Sequence, residues 1–195
     1  MIYTLPGMGA NSNMYSGPWL GLPNVKYLDW PKYQGEKSLS EVAEKVINEN
    51  SISQTDFIAG SSLGGMVALE IASKLKLNKV YLFGSAISKS EVNPLLRLLT
   101  PLSDVTPLKL IQAIAGKYHN EVLEMFSSSD TDFIRAMCHA IKNWQGFNGD
   151  PAIIKRVHGE KDRVIFCPSN CNKIKNGGHL IAITHPFECI EIINH

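Results

Sequence analysis

A serine, a histidine and one of two neighbouring carboxylates are the residues of this 195-residue chain whose types and spacing could do chemistry together. Ser62 stands at the centre of Gly60-Ser61-Ser62-Leu63-Gly64, which fits the pattern G-x-S-x-G. A short apolar run ending at Ala59 precedes it, and Val67, Ala68, Leu69, Ile71, Ala72 and Leu75 continue it in a mostly apolar helical pattern. Strand, tight glycine turn and helix is the setting in which such a serine occupies a strained apex with its hydroxyl lifted clear of the backbone. The pattern also arises by chance in glycine- and serine-containing loops, so its weight comes from the placement. Ser61, on the first variable position, is read as a neighbour that shapes the turn.

A serine hydroxyl is a weak nucleophile at neutral pH and needs a base to take its proton. An imidazole can accept and return that proton, and it needs a carboxylate to hold its tautomer and stabilise the imidazolium. Of the 6 histidines, His179 follows Gly177-Gly178 in a loop before the last helical segment, where a base could reach Ser62. His158 lies in a strand-end turn, where bonding local backbone is the expected role. His119, His139, His185 and His195 fall in a middle segment or near the terminus with no partner pattern. For the acid, Asp162 and Glu160 compete within one loop, and either completes the order serine, acid, histidine. A developing oxyanion needs two preorganised donors. The amide of Leu63, next after the serine, is one, and the amide of Met8 in the loop Pro6-Gly7-Met8-Gly9 is the natural second.

These residues need elements to position them. An apolar strand is expected over residues 2–5 and a second over 25–28, the latter stopped by Asp29-Trp30-Pro31. Between them, Asn11-Ser12-Asn13 offers caps for a short helix over 14–20. Ser38 with Glu41 three residues on has capping-box chemistry, and Leu39, Val42, Ala43, Val46 and Ile47 then recur at helical spacing. The strand and helix around Ser62 follow, then a strand over 79–83 closed by Gly84-Ser85. Alternating strands and helices imply a parallel sheet covered on both faces, with ligand sites at the carboxyl ends of the strands. Both the Pro6-Gly7-Met8-Gly9 loop and the Ser62 turn fall at such ends.

From about residue 88 to 149 the alternation lapses. Pro94, Pro101 and Pro107 punctuate amphipathic pieces over 95–99, 108–114, 121–126 and 133–144. An all-helical insertion serving as a lid over the sheet edge is the expectation, against the plainer reading that these helices belong to the main core. Phe126, Phe133 and Trp144 are candidates for an apolar acyl pocket, though each such residue is individually more often core packing. Strands over 152–157 and 171–174, with the helix between them shortened or absent, and a closing helix over 186–193 complete the chain.

The bulk numbers narrow the function classes. With 195 residues, one domain over 1–195 with a sizeable core is expected. A formal net charge of +1, with Lys and Arg scattered, offers no electrostatic case for nucleic acid or an anionic membrane. No apolar run is long enough to span a bilayer. Met1 runs directly into a strand pattern with no visible signal peptide, so the cytoplasm is the expected location. Cys138, Cys167, Cys171 and Cys189 do not form a disulfide framework. The three-residue gap between Cys167 and Cys171 lacks a second ligand pair for zinc, so buried free thiols are expected.

Together the motifs resemble those of the α/β-hydrolase superfamily over most of the chain. The segment Gly60-Ser61-Ser62-Leu63-Gly64-Gly65 is similar to its nucleophile elbow. Pro6-Gly7-Met8-Gly9-Ala10-Asn11-Ser12 is similar to its oxyanion loop, with Pro6 where the family usually has histidine. His158-Gly159-Glu160-Lys161-Asp162-Arg163-Val164 resembles its acid loop, H-G-x-x-D-x-x-V, and Gly178-His179 before the Pro186 helix resembles its histidine loop. The resemblance selects Asp162 over Glu160. It implies a three-layer α/β-hydrolase fold whose mainly parallel sheet is trimmed to about six strands, because the chain begins at what would be the family's third strand. It also implies a serine hydrolase acting on an ester or thioester of a small or acyl substrate, with no metal or organic cofactor. The serine argues against members whose elbows carry aspartate. Acyl transfer, elimination with the same three residues, and a non-catalytic ligand-binding role stay open, as do the substrate and the oligomeric state.

Overall fold

Six short runs of β-branched, aromatic and aliphatic residues form one parallel sheet in the computed structural model of the chain, which describes residues 1–94 and 130–194. In chain order they are β1 (Ile2–Leu5), β2 (Val25–Tyr27), β3 (Phe57–Ser61), β4 (Val80–Phe83), β5 (Ile154–Gly159) and β6 (Asn172–Ile174), arranged in space as β2-β1-β3-β4-β5-β6. The register sets Ile2 beside Phe57, Ile58 beside Val80, Val80 beside Ile154 and Val157 beside Asn172. Every residue of β4 is buried, which is why Val80-Tyr81-Leu82-Phe83 reads as an unbroken apolar run: a central parallel strand is covered on both faces.

Helices α1 (Leu39–Asn50), α2 (Leu63–Leu75) and α3 (Thr131–Asn143) cover one face, bringing Leu39, Val42, Val46, Met66, Ile71 and Met137 into one core with Leu5, Ile58 and Leu82. The other face is closed by α4 (Ile181–Thr184), α5 (Pro186–Asn194) and an aromatic cluster of Tyr15, Trp19, Tyr27 and Phe83. Tyr15 donates its hydroxyl to the Leu5 carbonyl at 2.6 Å, and Trp19 donates its indole N–H to the Ala182 carbonyl at 2.7 Å. Both rings thus bury large apolar bodies, about 1.5–3 kcal/mol for a side chain of this kind, without orphaning a polar tip.

Several local expectations shift. The helix expected over 14–20 is two 3₁₀ turns, Ser12–Met14 and Gly17–Gly21, because Gly17, Pro18 and Gly21 break the run and leave the aromatics to do the covering. Ser38 caps α1 by accepting from the Glu41 N–H, but the Glu41 carboxylate reaches back to the Lys37 N–H, one residue before the usual capping-box partner. No helix joins β5 to β6. Of the four thiols, Cys189 alone is buried; Cys138, Cys167 and Cys171 are partly exposed, although burial still pushes the Cys138 thiol up to about 11. Helix α3 buries Phe133, Met137 and Ala140 in the main core, while residues 95–129 of the expected insertion, Phe126 among them, lie outside the described residues.

Candidate active site

The tight turn at Ser62 follows from close packing. A Cβ on Gly60 would sit 2.3 Å from the Gly64 backbone, and one on Gly64 would sit 2.3 Å from the Pro6 carbonyl oxygen. Only glycine lets β3, α2 and the loop after β1 meet there. Ser62 itself takes φ 51°, ψ −119°, a left-handed conformation that costs of order 1–3 kcal/mol and persists because its surroundings hold it. Its N–H donates to the Phe83 carbonyl at 3.1 Å, and its carbonyl accepts from the Ser85 hydroxyl at 2.7 Å. Ser62 makes no side-chain cap for α2, so its hydroxyl is left for other partners. Ser61 is buried at the end of β3.

That hydroxyl lies 2.9 Å from Nε2 of His179, and Nδ1 of His179 lies 2.8 Å from Oδ2 of Asp162. Three loops from distant parts of the chain thus deliver one unbroken line of hydrogen bonds. The acid and histidine loops touch directly: a Cβ on Gly159 would sit 2.3 Å from the Gly178 carbonyl oxygen, and the Lys161 N–H donates to the Gly177 carbonyl at 2.8 Å. Glu160, the rival carboxylate, is exposed. The Asp162 side chain is wholly buried, and its Oδ1 accepts from the Val164 and Ile165 N–H groups at 2.8 and 3.0 Å. Burial alone would raise this carboxyl. The His179 charge beside it, together with hydrogen bonds from His158, His179 and Ile165, outweighs burial and holds it well below the usual carboxylate range.

His158 is the residue whose part here exceeds the sequence reading. It does bond local backbone, with Nε2 2.9 Å from the Ile165 carbonyl, but the same nitrogen lies 3.0 Å from Asp162 Oδ2. The network assigns the proton to Nε2, shared between the two oxygens, and leaves Nδ1 buried without a hydrogen-bond partner. The spacing of four residues between His158 and Asp162 was the available signal. A second feature gave none: residues 91–93 pair against 163–166, with a Val92–Ile165 bridge and the Phe166 N–H donating to the Glu91 carbonyl at 2.7 Å. The buried Arg156 guanidinium of β5 donates to Glu91 at 3.0 and 3.2 Å, tying the stem of the expected insertion to that strand.

On the opposite side of Ser62 lies the loop after β1. A Cβ on Gly7 would stand 3.8 Å from Ser62 Cβ, and the next residue is Met8. Neither the Met8 nor the Leu63 N–H donates to another group among the described residues; Leu63 opens α2, where the first amides are left over by the helix itself. Two spare donors therefore flank the serine at the switch between β1 and β3, the crevice where open parallel sheets take their ligands.

The three expected pocket residues part company. Phe133 is buried against Trp30 and Tyr33, at ring separations of 5.2 and 6.1 Å, and with them and Gly9 it lines a cavity of about 210 Å³ beside the loop after β1. Trp144 is buried against α2 and donates its indole N–H to Glu70 at 2.7 Å, eight residues past Ser62, or roughly 12 Å along a helix rising 1.5 Å per residue. Phe126 lies outside the described residues. No helix among them is long and apolar enough to cross a membrane.

No family model and no curated protein matches this chain. Solved structures do. An esterase from Thermogutta terrifontis superposes with a TM-score of 0.74 at 15% identity, over 99% of this chain and 87% of that one. An α/β hydrolase fold protein from Burkholderia ambifaria superposes at 0.73 and 15% identity, over 98% and 88%. The type II thioesterase BorB of the borrelidin biosynthetic cluster superposes at 0.69 and 18% identity, over 99% and 90%. At these identities the likeness establishes a shared fold.

Proposed function

We propose that this chain, which has the α/β-hydrolase fold, is a serine hydrolase that cleaves an ester or thioester of a small or acyl substrate. The observation that carries the reading is the line from Ser62 Oγ to His179 Nε2 at 2.9 Å and from His179 Nδ1 to Asp162 Oδ2 at 2.8 Å. The esterase and thioesterase neighbours are consistent with it. Ser62 attacks the substrate carbonyl carbon as His179 takes the hydroxyl proton on Nε2. Asp162 holds the Nδ1–H and stabilises the imidazolium that forms. The Met8 and Leu63 N–H groups donate to the tetrahedral oxyanion. As the tetrahedral species collapses, His179 returns the proton to the departing alkoxide or thiolate, leaving an acyl-serine. Water then enters, gives a proton to His179 and attacks the acyl carbon, and the acid product leaves as Ser62 recovers its proton.

The test is intact-mass analysis after treatment with a fluorophosphonate. The expected result is one adduct on the parent protein, none on Ser62→Ala and slow labelling of His179→Ala. Ser62→Ala should also lower kcat on a p-nitrophenyl ester by about 10⁴-fold or more. A folded parent protein that takes no label would overturn the reading.

A further inference from the structure

We propose that Trp30 is a positioning residue for the second oxyanion donor: its indole N–H fixes the Gly7–Met8 peptide so that the Met8 N–H faces the space over Ser62. The inference rests on the serine-hydrolase reading above. The Gly7 carbonyl oxygen accepts twice, from the Ala10 N–H at 3.1 Å and from Trp30 Nε1 at 3.0 Å. A trans peptide is planar with its C=O and N–H on opposite sides, and the described residues contain no cis bond. Whatever holds the Gly7 oxygen therefore aims the Met8 N–H the other way, and that N–H has no partner of its own among the described residues.

The peptide needs an outside hold. Gly7 has no side chain to resist rotation about its own ψ, and a turn closed by the Ala10 bond alone leaves the plane of Gly7–Met8 weakly determined. A flip would turn a carbonyl oxygen, instead of an N–H, toward the developing negative charge. Trp30 supplies the missing constraint from 23 residues away. Its ring is itself held against Phe133 of α3 at 5.2 Å. One residue earlier, Asp29 accepts from the Ser12 N–H at 2.7 Å, so the segment after β2 grips the loop after β1 at two points.

The experiment compares the parent protein with Trp30→Phe, which keeps an aromatic ring and loses the donor, and with a chain carrying 3-benzothienylalanine at position 30, in which sulfur replaces the indole N–H in the same ring shape. The readouts are fluorophosphonate labelling of Ser62, kcat and KM on p-nitrophenyl acetate, and inhibition by a trifluoromethyl ketone, whose serine adduct bears an oxyanion. Both variants should lose about tenfold to a hundredfold in kcat, bounded above by the loss of one whole donor. The ketone should weaken in parallel, KM should stay within about twofold, and the pH profile should keep its position. A labelled parent with both variants at parental kcat would overturn the role of Trp30 and leave the hydrolase reading standing. Loss in Trp30→Phe but not with benzothienylalanine would assign the effect to ring packing and overturn it equally. An unlabelled, folded parent would remove the hydrolase reading and this inference with it.

Discussion

The two sides of Ser62 are built in opposite ways. On the Asp162 side, the carboxylate takes every partner but His179 from its own neighbourhood: the N–H groups of Val164 and Ile165, and Nε2 of His158 four residues before it. On the Met8 side, the turn of residues 7–10 closes one bond locally and takes its other hold on the Gly7 carbonyl from Trp30, itself backed by Phe133 a hundred residues further on. A group that will carry a full charge in a buried place is surrounded by short-range donors that form with its loop. A spare N–H that must merely point correctly is aimed by packing from elsewhere. The Asp162 side is thus a local device, and the Met8 side a tertiary one.

The largest expected effect tests the first half of that contrast. Asp162→Asn keeps the shape but removes the charge that selects the His179 tautomer, and should lower kcat by about 10⁴-fold in a steady-state ester assay, with KM changed far less. Gly64→Ala attacks the junction of the two halves: its methyl would meet the Pro6 carbonyl oxygen at 2.3 Å, so urea unfolding should report a loss of about 3 kcal/mol or more. His158→Phe fills the same buried space and withdraws one donor from Asp162 and from the Ile165 carbonyl. The expectation is roughly tenfold in kcat and about 2 kcal/mol in stability. Combined with Trp30→Phe, its effect on kcat should multiply, because the two residues share no hydrogen-bond partner.

The smallest effect is in acid. Asp162 is held below the unfolded value of about 3.9, so the unfolded chain binds that proton first as pH falls. The stability this carboxylate contributes is fully present above about pH 4 and drains away as pH drops through the lower folded value. Urea unfolding between pH 3 and 6 should show that decline in the parent protein and a shallower one in Asp162→Asn.

Much of this was legible in the chain of residues alone, because its signals are local. The six strands of the sheet follow from short apolar runs between turn residues, and the capped start of α1 from Ser38 and Glu41. The Ser62 turn follows from glycines that leave room for three backbones. The order of Ser62, Asp162 and His179 could be named before any distance was known. The aromatic closure by Tyr15 and Trp19 was not legible, since the segment reads as one short helix and folds as two 3₁₀ turns.

Other outcomes belonged to the tertiary structure alone. Phe133 and Trp144 stand eleven residues apart in the same apolar pattern, yet one lines a cavity beside the loop after β1 and the other bonds Glu70 two turns down α2. Arg156 and Glu91, 65 residues apart, join β5 to the segment after β4. Trp30 reads simply as the residue before a proline. Spacing along a chain reports which residues share a face or a turn, since backbone geometry converts sequence distance into direction over a few residues. Which side chain from a distant segment fills the remaining space, and so which carbonyl it holds, is decided only when the sheet brings the loops together.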